Sequence, residues 1–309
     1  MMQKNNVKLM QLKCCLFFFL FSLLVAACGE QKGNGLDYNF KQGIGELQLH
    51  FLPSAPPEKI YPNSDFKIIV EVDNQMAYDV EVGKIWLTGL VNDYFEVHPT
   101  EVGLQEILTE DTVLHGKSLT TPAGEKVYAP FKGHAYQLFL NAEEYTGTYF
   151  LKAKYHSRME FLDTFCVNTH LYAVYDSNCV VEQKKTYSGQ GAPIAVSEVE
   201  EALTPGESGQ VEFRLKLQNK GSGKIERVDV AQATLGGEQI DCEFSEAQGD
   251  YKKSFVFAEA QGTEGRGRNE AVLLCRKSLP SEVAYQTPLF VEFAYDYQIQ
   301  EQHQLRMVR

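Results

Sequence analysis

The sequence lacks the common local patterns of catalytic and metal sites. None of its 7 histidines stands in an HxH, HxxH or HExxH arrangement, so a metal ion would need ligands from distant segments. The string nearest to a nucleophile elbow, Gly206-Glu207-Ser208-Gly209, follows Thr204-Pro205 and lacks the GxSxG spacing, which is typical of a turn. No glycine-rich stretch continues into Gly-Lys-Ser/Thr. We therefore expect a protein that is not an enzyme, with no catalytic residue, no metal site and no cofactor.

Basic residues are also scarce relative to acidic ones. The chain has 29 Lys and Arg against 41 Asp and Glu, a formal net charge of −12. Such a surface repels phosphate backbones and anionic headgroups, so nucleic acid is not an expected partner. The charge favours solubility, and it would also attract cations or basic partners.

A single long apolar run lies at the start of the chain. Lys4, Lys8 and Lys13 precede apolar residues 14–27, a pattern that predicts a secretory signal peptide over residues 1–27. Its end, Val25-Ala26-Ala27-Cys28, resembles the bacterial lipobox, in which the cysteine is lipidated and becomes the new N-terminus. The alternative is an ordinary signal peptide that ends near a cysteine. With lipidation of Cys28, two acyl chains would hold the protein on the outer side of the cytoplasmic membrane, or on an outer membrane if one exists.

Four cysteines remain after these assignments: Cys166, Cys179, Cys242 and Cys275. An even number in an exported chain predicts disulfides, and four cysteines allow three pairings. We favour Cys166 with Cys179 and Cys242 with Cys275, because each pair then lies within one half of the chain. No CxxC spacing supports a zinc site instead.

Convincing long helices are absent, whereas two-residue alternation is strong. Apolar residues alternate with polar ones in 66–73 and in 211–218, and aromatic-rich alternation returns in 149–155 and 289–297. This period is that of strands with one face in a core. When Asn74 is aligned with Asn219, the two halves match as an internal repeat. The sequence thus predicts an all-β protein of two tandem immunoglobulin-like antiparallel sandwiches.

Composition predicts where these units begin and end. Residues 28–42 are expected to be a flexible tether, 43–181 the first sandwich, 182–193 a polar linker and 194–309 the second sandwich. Residues 92–131 are the least repetitive part and are interpreted as an insertion at one end of the first sandwich.

One motif resembles the immunoglobulin-like CARDB modules of bacterial and archaeal surface proteins. It is an alternating strand that ends in Asn219-Lys220-Gly221-Ser222-Gly223 and is followed by a second strand. The first half departs from that pattern, with Gln75-Met76-Ala77 where the module has Lys-Gly. The mature chain also resembles uncharacterised two-domain archaeal surface proteins, on the two cysteine pairs and the motifs Gly45-Glu46-Leu47, Phe51-Leu52-Pro53, Ala55-Pro56-Pro57 and Pro193-Ile194-Ala195-Val196. The resemblance implies a fold and a surface location.

Two regions offer candidate partner-binding residues. Tyr94 and Phe95 lie in the 92–131 segment, and Trp86, the single tryptophan, comes just before it. A core position for Trp86 is the alternative to a binding role. Arg266 and Arg268 lie in a glycine-rich stretch that would form either a cationic finger for an acidic glycan or partner, or a flexible hairpin turn.

The function expected from these features is non-catalytic. A lipid-anchored envelope protein would present its sandwiches for adhesion, envelope organisation or assembly of a surface complex, with a protein or glycan as partner. The alternative is a lipoprotein that captures a glycan, peptide or metal for a transporter, which predicts a concave, aromatic-lined pocket between the sandwiches or under residues 92–131.

Overall fold

Antiparallel strands make up nearly all of the protein in a computed structural model, which describes residues 39–108, 112–139, 141–169, 179–204, 209–245, 251–257, 270–279 and 283–309. The expected all-β sandwich fold is confirmed, and the alternating runs 66–73 and 211–218 lie in strands. No helix in these ranges is long and apolar enough to cross a bilayer. The elements are β1 Leu47–Phe51, β2 Ser64–Asn74, β3 Val80–Thr88, β4 Phe95–His98, β5 Glu101–Gly103, α1 Leu104–Ile107, β6 Lys126–Ala135, β7 Glu144–Asn168, β8 Lys184–Thr186, β9 Ile194–Thr204, β10 Gly209–Asn219, β11 Lys224–Leu235, β12 Glu238–Gln239, β13 Asp241–Ser245, β14 Tyr251–Lys252, β15 Ser254–Val256, β16 Glu270–Leu279 and β17 Ala284–Val308.

The strands form three sheets. A four-stranded sheet has the order β1-β2-β6-β4, and a six-stranded sheet has the order β14-β13-β16-β10-β9-β8. A seven-stranded sheet has the order β12-β11-β17-β7-β3-β5, with β15 paired to β11. Consecutive strands therefore often belong to different sheets, as in a sandwich.

Two strands of 25 residues form the centre of the seven-stranded sheet. β7 and β17 pair antiparallel from Glu144 opposite Val308 to Asn168 opposite Ala284. At a rise of about 3.3 Å per residue, each is roughly 80 Å long, far above the usual strand length. One face of β7 is buried at every second residue from Gly147 to Phe161. This alternation supplies one wall of the core along that stretch of β7.

The other two sheets cover this face at different places. Phe51 of β1, in the four-stranded sheet, contacts the ring of Tyr149 near the start of β7 (6.3 Å between centroids). Phe213 of β10, in the six-stranded sheet, contacts Phe165 near the end of β7 (5.1 Å). β7 therefore serves both sandwiches, and residues 40–309 form one compact unit.

The internal repeat is visible in two matching asparagine turns. Asn74 ends β2, donates to the carbonyl of Tyr78 (3.0 Å) and accepts from the amide of Met76 (3.1 Å). Asn219 ends β10, donates to the carbonyl of Gly223 (2.7 Å) and accepts from the amide of Gly221 (3.2 Å). The same side-chain turn leads into β3 in one half and into β11 in the other.

The predicted linker, 182–193, is packed rather than open. It contains β8, and the side chain of Gln190 is buried and bonds both backbone groups of Val196. The amide of Gly191 donates to Gly43 (2.8 Å), and its carbonyl accepts from Ala77 (2.8 Å). The predicted halves are therefore joined by the shared sheet and by backbone bonds. The predicted insertion, 92–131, contributes β4, β5, α1 and the first six residues of β6.

Both favoured disulfides are present. Cys166 is bonded to Cys179, 13 residues away, and Cys242 is bonded to Cys275, 33 residues away. Cys242 and Cys275 are direct cross-strand partners on β13 and β16. Each bond thus closes a loop within one half of the sequence.

Replacing Cys242 and Cys275 together by Ala should lower the free energy of unfolding by about 3–4 kcal/mol, because the open chain regains the entropy of a 33-residue loop. Urea denaturation of the oxidised proteins measures the loss. The matched Cys166 and Cys179 variant, with a 13-residue loop, should lose about 3 kcal/mol. A loss below about 1 kcal/mol for the first variant would contradict the loop-entropy account.

Candidate functional site

Of the predicted partner-binding residues, only three lie in the described ranges. Trp86 lies on β3, half-buried on the outer face of the seven-stranded sheet, with the Lys84 ammonium 5.3 Å from its ring centroid. Tyr94 is half-buried beside Phe139 and Tyr145. Cys28, Arg266 and Arg268 lie outside the described residues.

The structure corrects the interpretation of Phe95 as a partner-binding residue. Its side chain is fully buried, in edge contact with Phe66 (5.9 Å) and tilted against Tyr145 (5.9 Å). Because neighbouring residues on a strand point to opposite faces, β4 turns Phe95 into the core and Glu96 outwards. Phe95 is therefore a packing residue and cannot contact a partner.

A groove lies on the outer face of the four-stranded sheet, in the first half of the chain. Its volume is about 590 Å³. The walls come from the loop after β1 and from strands β2, β4 and β6: Ser54, Pro57, Asp65, Phe66, Lys67, Glu96, His98, Lys132, Gly133 and His134. We call this surface the β2–β6–β4 groove. It lies partly within the segment 92–131, where the sequence interpretation placed a binding region.

Gly133 shapes the sheet beneath the groove. It lies opposite Phe66 on β2, and a Cβ atom at this position would come 2.2 Å from Cζ of that ring. Because aromatic carbon atoms cannot approach so closely, glycine is required for the ring to pack under β6. The Phe66 ring then packs on Phe95, so the groove lies directly above closed core packing.

The polar side chains of the groove form two cross-strand rows. In the first row, His134 of β6 lies between Asp65 of β2 and Glu96 of β4. The His134 Nδ1 atom is 2.6 Å from the Asp65 carboxylate. Side chains opposite each other on antiparallel strands have Cβ atoms about 5 Å apart, so such rows are contact rows.

The second row is cationic. Lys132 of β6 lies between Lys67 of β2 and His98 of β4. Both lysine side chains are exposed, and in the described part of the chain neither forms an ion pair with a carboxylate. Like charges directly opposite on a sheet are destabilising. Two unpaired ammonium groups in one groove can bind an anion that relieves this repulsion.

Glu96 is held in place by two neighbours. The Tyr136 hydroxyl donates to one of its oxygens, and His98 Nε2 lies 2.8 Å from the other. The hydrogen bond from Tyr136, and then that from His98, lower the pKa of Glu96, and the same Tyr136 bond raises the pKa of the phenol. The carboxylate is thus charged and already engaged, so the lysines remain the groups open to a ligand.

An aromatic cluster adjoins the groove where β4 begins and β6 ends. Tyr94 is stacked on Tyr145 at 3.7 Å between centroids and meets Phe139 edge-on at 5.4 Å. Phe139 is 64% exposed and Tyr136 is 38% exposed. We call Tyr94, Tyr136, Phe139 and Tyr145 the aromatic tip. Exposed aromatic rings with a polar edge are typical of protein and carbohydrate contacts.

No three His, Cys, Asp or Glu side chains within the described ranges come together as ligands for a metal ion. The pairs His98 with Glu96 and His134 with Asp65 are the nearest approach in this groove. Each of these pairs is joined by a hydrogen bond between its two side chains.

The groove residues were missed in the sequence because their signal is spread over three strands. Lys67 and Lys132 are 65 positions apart and become neighbours only through the β2–β6 register. The alternation of each strand places both lysines on the outer face of the sheet, but it does the same for every other outward residue. The sequence does not show which strands pair, and this pairing is what brings the two lysines together.

No protein-family profile matches this chain, and no curated protein matches it. Among solved structures, the E. coli chaperone DraB aligns with 12% identity over 77% of this chain and 97% of DraB, with a TM-score of 0.19. The major capsid protein P2 of bacteriophage PM2 aligns with 9% identity over 81% of this chain and 97% of P2, with a TM-score of 0.12. At such TM-scores neither likeness bears on function.

Burial separates the core residue Phe95 from the exposed Phe139. Phe95→Ala should lower the free energy of unfolding by about 3–5 kcal/mol, because it leaves a cavity. Phe139→Ala should change it by less than about 1 kcal/mol, since the ring is mostly exposed. Chemical denaturation of the two variants measures the contrast. Equal losses would contradict the assignment of Phe139 to an exposed tip.

Proposed function

We propose that this protein is a non-catalytic, lipid-anchored envelope protein that recognises an acidic glycan with the β2–β6–β4 groove and the aromatic tip. The observation that carries the proposal is the pair of unpaired cross-strand ammonium groups, Lys67 and Lys132, in a groove of about 590 Å³. A carboxylate or sulfate would bind between them by charge-assisted hydrogen bonds.

The aromatic tip supplies the second part of such recognition. Exposed rings such as Phe139 stack on the apolar face of a sugar, while phenol groups such as Tyr136 bond its hydroxyls. Anionic groups for the lysines and sugar faces for the rings occur together in an acidic oligosaccharide. The two surfaces adjoin at Glu96, which binds Tyr136 from within the groove.

A rigid support favours recognition by preformed contacts. The groove strands pack through Phe66 and Phe95 on the core that β7 and β17 close from the other side. Little conformational entropy would then be lost when a ligand binds. Presentation at the surface would follow from a lipid on Cys28.

Capture of a ligand for a transporter is the second candidate function. The groove is concave and includes Glu96 and His98 of the segment 92–131, which is a feature that this alternative predicts. The ligand size separates the two functions. A capture protein binds a short acidic saccharide as well as the polymer, whereas an adhesion protein gains affinity from many repeats of the polymer.

Replacing Lys67 and Lys132 together by Gln should weaken binding of uronate-containing or sulfated oligosaccharides at least tenfold, because the anion loses both cations. Isothermal titration against acidic and neutral oligosaccharides measures the effect. Lys220→Gln is the matched control, an exposed lysine on the Asn219 turn of the other half. Unchanged affinity in the double variant, or equal affinity for neutral sugars, would rule out the proposed recognition.

Lipidation has its own test. Cys28→Ser should abolish diacylglyceryl attachment and release the protein from the membrane fraction, because a chain without acyl groups has no durable anchor. Fractionation and mass spectrometry of the N-terminal peptide measure both effects. Wild-type protein recovered with an unmodified N-terminus beyond residue 28 would support an ordinary signal peptide instead.

A further inference from the structure

The charges of the β2–β6–β4 groove are balanced when its histidines are neutral. Six ionisable side chains line the groove: Asp65, Lys67, Glu96, His98, Lys132 and His134. The two lysines and the two carboxylates cancel in formal charge, so the histidines decide the net charge of the groove. The loop after β1 adds Ser54 and Pro57 to the walls, and neither of these side chains ionises.

Each of the two histidines has a carboxylate partner and remains open to solvent. His134 Nδ1 is 2.6 Å from Asp65 of β2, and Glu96 of β4 lies opposite His134 on its other side. His98 Nε2 is 2.8 Å from Glu96, two residues earlier on the same strand. The side chains of His134 and His98 are 40% and 71% exposed. Both imidazoles can therefore exchange protons with the solvent.

Both histidines lie next to the cationic row. His98 is directly opposite Lys132, which is in turn opposite Lys67. Opposite side chains on antiparallel strands have Cβ atoms about 5 Å apart. His134 is two residues from Lys132 on the same face of β6, a separation of about 7 Å along a strand. A proton gained by either imidazole therefore acts on an anion that is bound at the lysines.

The histidines are the groups of the groove whose charge changes near neutral pH. Lysines and carboxylates ordinarily keep their charges between about pH 5 and 8, whereas an imidazole gains a proton in this range as the pH falls. The hydrogen bonds from Tyr136 and from His98 lower the pKa of Glu96, and the positive charges of His98 and His134 lower it further, so Glu96 stays ionised. The formal charge of the six lining side chains thus rises from zero to +2, because two imidazolium charges are added to two ammonium and two carboxylate groups.

From this arrangement we infer that protonation of His98 and His134 strengthens the binding of an acidic glycan in the groove. The inference rests on the proposed function, because the anion that senses the added charge is the one held by Lys67 and Lys132. Linkage makes the effect reciprocal, so a bound anion also promotes uptake of protons by the histidines. The protein would hold its ligand in acidic surroundings and release it more readily as the pH rises.

Isothermal titration of the full-length exported chain with a sulfated tetrasaccharide tests the inference, because a sulfate ester keeps its charge throughout this pH range. At constant ionic strength, the affinity should be about fivefold or more higher at pH 5 than at pH 8, since each added unit charge attracts the anion. Titrations at pH 6.5 in two buffers of different ionisation enthalpy measure the protons exchanged. Binding should be accompanied by uptake of about 0.3 protons or more per anion.

Replacing His98 and His134 together by Gln assigns the protons to these two side chains. In the double variant the ratio of the affinities at pH 5 and pH 8 should fall to about one, and the proton uptake should disappear. His50→Gln is the matched control, because this exposed histidine lies on β1 of the same sheet, opposite Glu71 and outside the groove. It should keep both effects. Should the double variant fail to fold, His98→Gln alone, at an exposed position, should still reduce the affinity ratio about twofold.

The results separate this inference from the proposed function. Equal affinity at pH 5 and pH 8 without proton uptake would overturn the role of the histidines and leave recognition of an acidic glycan standing. Absence of binding at both pH values would overturn both. A double variant that keeps the affinity ratio of the wild type would also contradict the inference, because the proton would then be taken up outside the groove.

Discussion

The antiparallel pairing of β7 with β17 is the interaction on which the rest of the structure depends. Twenty-five residues of each strand form one ladder, and the same face of that ladder is covered by the four-stranded sheet at one place and the six-stranded sheet at the other. Because side chains alternate with a period of two, a slip by one residue would turn the buried face outwards in both sandwiches at once. Register in one half therefore constrains register in the other, and the core is shared.

The middle of this ladder explains how two similar halves join. Tyr155 faces Tyr297, and the phenols of Tyr155 and Tyr295 reach Met76 Sδ at 3.7 Å and 3.3 Å, just after the first asparagine turn. The phenol of Tyr297 lies 3.2 Å from Asn219 Oδ1 at the second turn. Each asparagine turn thus packs against aromatic side chains of the two long strands. The repeat that is visible in the sequence is the repeat of these turns and of the strand that follows each one.

The features that depend on local sequence, namely the strands and the disulfide pairs, could be predicted from the sequence. Alternation located the strands of both halves, and parity with proximity along the chain selected both disulfides. The length of the central strands was not accessible, since the alternating fragments 149–155 and 289–297 cover only part of β7 and β17. Towards its end β17 places Glu301 and His303 at the positions of its buried face, and these polar residues interrupt the apolar alternation although the ladder continues. Phe95 was misassigned because composition alone does not tell which of two adjacent aromatic residues faces the core. The groove could not be predicted because it depends on the register of three strands. The lack of a hydrogen-bond partner for Glu201 depends on which side chains fold around it.

The groove lysines and the buried carboxyl group of Glu201 differ in what an unpaired charge costs the protein. Two unit charges about 4 Å apart in water repel by roughly 1 kcal/mol, and by about 4 kcal/mol at an effective dielectric constant of 20. Exposed lysines such as Lys67 and Lys132 can spread apart, so an empty groove is only slightly destabilised. Glu201 is buried, and burial raises its pKa to about 7, so the carboxyl avoids an unpaired charge by keeping its proton. The groove is thus suited to a ligand whose affinity varies with salt, because its cations stay hydrated. Glu201 instead makes stability depend on pH, because the folded state holds this proton more tightly than the unfolded chain does.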